Sequence, residues 1–196
     1  MTIVTRYLVL TAVALALVGV SSWLLVRDYL DRTGADPGQP AGATAPAAPG
    51  ERRIKATLYY VAEDGSRLVP AEKDVPFAEG TSDQARRILE AQLLPPPAPL
   101  LTAIPMATTL RGVYVGESGD AYADFGGSIR TNHPGGSLNE LFTVYVIVSA
   151  LTTNLPAITS VQILVDGHEV DTLAGHVDLR RPLPKSPQWL EPPAVR

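Results

Sequence analysis

The chain has no cysteine among its 196 residues. That excludes disulfides, thiolate metal sites, a cysteine nucleophile and a lipid-modified amino-terminal cysteine. Basic residues are not in excess, since 16 Lys and Arg face 20 Asp and Glu for a formal net charge of -4. No cationic surface is on offer to phosphates, so nucleic acid is disfavoured as a partner. Histidine occurs only as His133, His168 and His176. No two of them stand at the short helical spacing that zinc sites use, and no metal is expected.

Charge is also missing from the amino-terminal stretch. Tyr7 to Val26 runs for 20 residues without a charged side chain. As a helix it would reach about 30 Å, the thickness of a bilayer's hydrocarbon. Tyr7 and Trp23 sit near its ends, where amphipathic rings favour the interface. A cleaved signal peptide, releasing a soluble periplasmic protein, is the competing reading. Against it, the run ends in Trp-Leu-Leu-Val-Arg with no small-x-small pair just beyond. Arg6 on one side and Arg27 and Arg32 on the other, offset by Asp28 and Asp31, leave the positive-inside rule nearly balanced. The amino end is placed in the cytoplasm because only the six residues before Tyr7 would otherwise have to cross.

The expected order is a cytoplasmic start (1–6), a transmembrane anchor (7–26), a linker (27–51), an extracytoplasmic domain (52–183) and a disordered tail (184–196). Gly34 to Gly50 consists mostly of Gly, Ala and Pro with a single charge, which cannot form a core. Such a leash spans on the order of 20–25 Å root-mean-square.

In the domain, Ile54, Ala56, Leu58 and Tyr60 alternate with Lys55, Thr57, Tyr59 and Val61, the period of a strand. Glu63 to Ser66 is a turn signal, and 67–77 continues as an extended, proline-bearing edge. Thr81 with Gln84 reads as a capping box opening a helix over 82–94, which Pro95-Pro96-Pro97 stops. Thr109–Val115 and Asp120–Phe125 flank a Gly116–Gly119 turn and predict a hairpin. Asn132-His133-Pro134-Gly135-Gly136-Ser137-Leu138-Asn139-Glu140 is a glycine turn with a second capping box, Ser137 with Glu140. It launches an apolar segment to Asn154, β-branched at Val144–Val148 yet read as helix from its length and cap. Val161–Val165 and His168–Leu173 flank Asp166-Gly167, a type I′ turn signal. The tail from Arg181 is rich in proline and is expected to be mostly disordered. The fold class is α+β, a small mixed or antiparallel sheet with two helices packed on it.

Leu101-Thr102-Ala103-Ile104-Pro105, Thr109-Leu110, Val113, Asp124-Phe125, the Asn132–Glu140 loop and Val165-Asp166-Gly167 together resemble the GerMN domain of sporulation and spore-germination proteins. Gly175-His176, Asp178 and Pro182 match its closing pattern, so the similarity covers roughly 55–183. The resemblance implies an exported, membrane-attached, ring-building-like α+β domain without enzymatic activity, engaged in assembly at the cell surface. It implies no cofactor. Many members are lipoproteins, whereas this chain would use a helical anchor.

Site candidates concentrate at the same loop. Ser137 with His133 and Asp124 could suggest a hydrolase triad, but the G-x-S-x-G elbow is missing and Ser137 reads better as a cap. The amides of the helix start, with Arg130, His133, Gly135, Gly136 and Ser137, could hold an anion or a carboxylate, such as a glycan or peptide-stem acid. That would make the chain a binding protein or hydrolase of the cell wall acting through 124–140, with peptidoglycan as its partner. The favoured reading is instead a non-catalytic module that contacts another envelope protein or itself. Phe142, Val146 and Ile147 extend apolar character around the second helix, and are the candidate contact surface if the domain leaves them uncovered.

Overall fold

The computed structural model describes residues 52–190 and, before them, Trp23 alone. The chain divides into units Met1–Ala47 and Ala48–Arg196, and the second carries the fold. The expected anchor (Trp23 apart), the linker and residues 191–196 lie outside the described residues. Among the described residues no helix is long and apolar enough to cross a membrane.

Strand β1 (Arg53–Val61) pairs with β2 (Leu68–Pro76) in an antiparallel hairpin closed by the Glu63–Ser66 turn, with Val61 opposite Leu68. The alternation of β1 is only half the account. Leu58, Tyr59, Tyr60 and Val61 are all buried, because both faces of the strand are covered. The edge of β1 away from β2 is closed by side chains. The Asn154 amide bonds the Thr57 N–H and C=O (2.8 and 2.7 Å), and the Gln92 amide does the same for Tyr59 (3.0 and 2.7 Å). Val61 exchanges both of its backbone bonds with Leu101. Two side-chain amides and a bridge thus do the work of a missing strand from Thr57 to Val61.

Helix α1 (Thr81–Gln92) follows. Its cap is Gly80, with no side-chain cap bond. The predicted capping box is corrected here, because Gln84 turns back to the end of β2, accepting from the Ala78 amide (2.7 Å) and donating to the Pro76 carbonyl (3.2 Å).

The second sheet has the order β3 (Leu110–Val115), β4 (Asp120–Phe125), β5 (Ser160–Val165), β6 (His168–Glu169), with β7 (Leu183–Pro184) also on β5. Strands β4 and β5 run parallel, so a crossover must join them. That crossover holds a single turn, α2 (Ser128–Thr131), and the long α3 (Ser137–Asn154). The sheet is therefore mixed. Asp166 and Gly167 both have positive φ (52° and 82°), as a two-residue type I′ turn requires.

Helix α3 is the centre of the core, packed by β1, α1, β5 and β7. Its contact-surface candidates are corrected by burial: Phe142, Val146 and Ile147 are 3%, 0% and 0% exposed. Its accessible side is Leu138, Leu141 and Tyr145. A helix apolar all round does not reveal which flank its neighbours cover.

Two further expectations change. Strand β6 is two residues rather than six, because the chain after Glu169 turns to form a loop that α3 needs. The tail does not leave the domain at Arg181. β7 pairs with β5, a 3-10 turn spans Pro187–Trp189, and Leu190 bridges to Leu68. Proline-rich sequence here marks a strap of edge pairings rather than disorder.

Candidate functional site

The glycine loop is built for packing. Gly135 and Gly136 adopt φ of 79° and 85°, which bring the chain sharply into α3. The helix cap is Gly136, and Ser137 is the first helical residue, exposed and without a cap bond. The predicted Ser137–Glu140 box is thus corrected. Glu140 is fully buried and points to the loop after β6. Its Oε1 accepts from the amides of Leu173 (2.8 Å) and Ala174 (2.9 Å); its Oε2 accepts from the His176 amide (2.7 Å) and lies 3.2 Å from His176 Nδ1. Burial alone would push this carboxyl up. The amides of Ala174, His176, Leu173 and Val177 outweigh it and hold the group below the usual glutamate value.

His133 is equally committed. Its Nδ1 accepts from the Gly135 amide (3.0 Å), which fixes the proton on Nε2, facing Thr143 Oγ1 (3.1 Å). Thr143 donates onward to the Ala103 carbonyl (2.6 Å). Burial lowers the His133 pKa, and His176 adds to this while Glu140 opposes it, so the ring is neutral near pH 7. Asp124 belongs to a third group. It accepts from Arg111 Nε (3.0 Å) and from the Gly167 amide (2.8 Å), closing the sheet end at the hairpin turn. Arg111 also reaches Asp166 at 3.6 Å, and Asp166 accepts from the Gly127 amide.

Asp124, His133 and Ser137 therefore have separate environments, and among the described residues none is hydrogen-bonded to another. Arg130 is exposed and, among the described residues, reaches only the Leu173 carbonyl, at 3.5 Å. Of the five candidate binding residues, His133 and Gly135 bond to each other, while Gly136 and Ser137 shape the helix start. No three His, Asp or Glu converge as metal ligands among the described residues.

The surface open to contact is elsewhere. Leu93 to Leu110 is 18 residues without a charge, hung between α1 and β3. Leu94 and Leu101 are each 50% exposed and Met106 is 84% exposed. Three clefts border this segment. The first, about 340 Å³, lies between Leu93–Pro96 and Thr102–Thr108. The second, about 300 Å³, lies between Pro95–Pro97 and the β1–β2 hairpin at Tyr60, Ala71, Glu72 and Lys73. The third, about 190 Å³, lies between Leu101–Ala103 and Pro134, Asn139 and Phe142. Sequence reasoning passed over this segment because its prolines read only as stop signals. Its missing charge was the available cue.

No curated protein matches the chain. Among solved structures, it is similar to the first GerMN domain of the sporulation protein GerM from Bacillus subtilis. There the identity is 23% and the TM-score 0.50, over 68% of this chain and 94% of that one. It is also similar to the tandem GerMN domains of the same protein, at 20% identity and TM-score 0.50, over 69% of this chain and 45% of that one. The chain thus spans about half the length of the tandem protein, and these likenesses show a shared fold. The family described as Germane, sporulation and spore germination, matches residues 57–171. That match runs from the middle of β1 through β6 and takes in all of α3, more than half of the chain, and the protein belongs to the Germane (GerMN) family.

Proposed function

We propose that this chain is a membrane-anchored, extracytoplasmic GerMN domain that works by association, as a non-catalytic assembly module of a bacterial envelope in sporulation or germination. The partner is another envelope protein or a second copy of the chain. The observation that carries this reading is the uncharged Leu93–Leu110 segment, with Leu94, Leu101 and Met106 in solvent. Apolar side chains held out on a folded domain are characteristic of contact surfaces. The tandem relative adds support, since GerMN domains occur there in tandem. The apolar run Tyr7–Val26 supports the anchor.

In-cell crosslinking with pull-down of the full-length protein tests the reading. The wild type is expected to give discrete crosslinked species, and Leu94→Glu with Met106→Glu to lose them. A wild type that stays monomeric in detergent at high concentration and captures nothing in cells would overturn it. Fractionation with intact mass decides between the anchor and cleavage.

A further inference from the structure

The second cleft carries two polar groups whose needs the fold leaves unmet. Tyr60 lines it and is 1% exposed, and its hydroxyl is buried without a hydrogen-bond partner among the described residues. A buried hydroxyl without a partner costs stability, and native folds keep few of them. Lys73 lines the same cleft, half-buried, with no ion pair among the described residues. Its neighbour Glu72 also lines the cleft, and its carboxylate lies 3.6 Å from Lys55. The β1–β2 register puts Tyr60, Ala71 and Lys73 on one face, and Pro95–Pro97 wall them in. Burial also lowers the Lys73 pKa, as expected for an ammonium partly removed from water without a counter-charge.

We propose that the cleft between β2 and the Pro95–Pro97 turn binds a monocarboxylate with a small apolar body, held by the Lys73 ammonium and the Tyr60 hydroxyl. Both groups can donate, so the ligand must accept. One partly desolvated cation beside Glu72 matches one negative charge rather than the two of a phosphate. The proline wall and Ala71 suit an apolar body. A volume of about 300 Å³ is at the lower end for ligand sites and takes roughly one or two amino-acid residues. The carboxy terminus of a peptide and a free small acid share this chemistry. The site stands independently of association through Leu94, Leu101 and Met106.

The test is calorimetric titration of the full-length protein in non-ionic detergent, with amide shifts followed at Ala71 and Lys73. The probes are N-acetyl-dialanine, its methyl ester, propionate and inorganic phosphate. The acid is expected to bind saturably and the ester at least about tenfold more weakly, with Tyr60→Phe and Lys73→Gln each weakening the acid by about tenfold. Tyr60→Phe should keep or raise the melting temperature, since it removes only the unpartnered hydroxyl. Propionate binding as well as the dipeptide assigns a free acid; a tighter dipeptide assigns a peptide terminus. No saturable signal up to about 10 mM, equal binding of acid and ester, preferential binding of phosphate, or wild-type affinity in both variants would overturn the proposal.

Discussion

Two loops of this domain treat their side chains in opposite ways. Between β4 and α3, and at the start of α3, the buried polar groups turn to their own chain. Asp124 takes Arg111 and Gly167, His133 joins Gly135 to Thr143, and Glu140 collects the 173–177 amides. Between α1 and β3 the chain has no charge to satisfy and leaves Leu94, Leu101 and Met106 in water. A polar cluster says little about ligands once its own backbone supplies the partners. An apolar side chain in solvent, or a buried hydroxyl with no bond, has needs that another molecule can meet.

The comparison breaks first, if it breaks, at Glu140. Replacing it with Ala strands several buried amides at once and should cost about 3 kcal/mol or more in urea unfolding. A loss below about 1 kcal/mol would mean that the 173–177 loop finds other partners. Gln92→Ala and Asn154→Ala should each cost about 1–3 kcal/mol, with faster amide exchange at Tyr59 and Thr57 respectively. Unchanged protection there would show that these amides do not guard the β1 edge.

Acid sharpens the contrast further. His133 and Glu140 both have folded pKa values below their unfolded ones (6.5 and 4.5). Each therefore contributes stability above its unfolded pKa, and that contribution is lost as pH falls towards the folded value. The melting temperature should decline first below about pH 6.5 through His133, and again below about 4.5 through Glu140. His133→Asn should remove the first decline. The smallest effect belongs to Ser137→Ala, within about 0.5 kcal/mol, because no cap bond is lost. A loss near 1 kcal/mol, the usual worth of a capping side chain, would restore the capping box.

Much of the fold was legible before any coordinates. The period of two at Ile54–Tyr60, the Asp166-Gly167 turn and the glycine bend before α3 are local signals, and each element formed where they stand. The two capping boxes were misread for one reason. Gln84 and Glu140 have the right spacing, but distant backbone offered them better partners than the helix start did. At Arg130–Ser137 the residue types fit a ligand, while spatial neighbours already engage His133 and Gly135. The contact surface expected on α3 turned inward because a crossover helix between two sheets is covered on that flank.

Local chemistry alone determined which segments extend, which coil and where the chain turns, because those choices depend on side chains a few residues apart. Only the tertiary structure decided which side chains remain unsatisfied. Whether Glu140 is capped, Met106 covered or the Tyr60 hydroxyl bonded depends on groups 30 or more residues away, and sequence spacing carries no record of those distances.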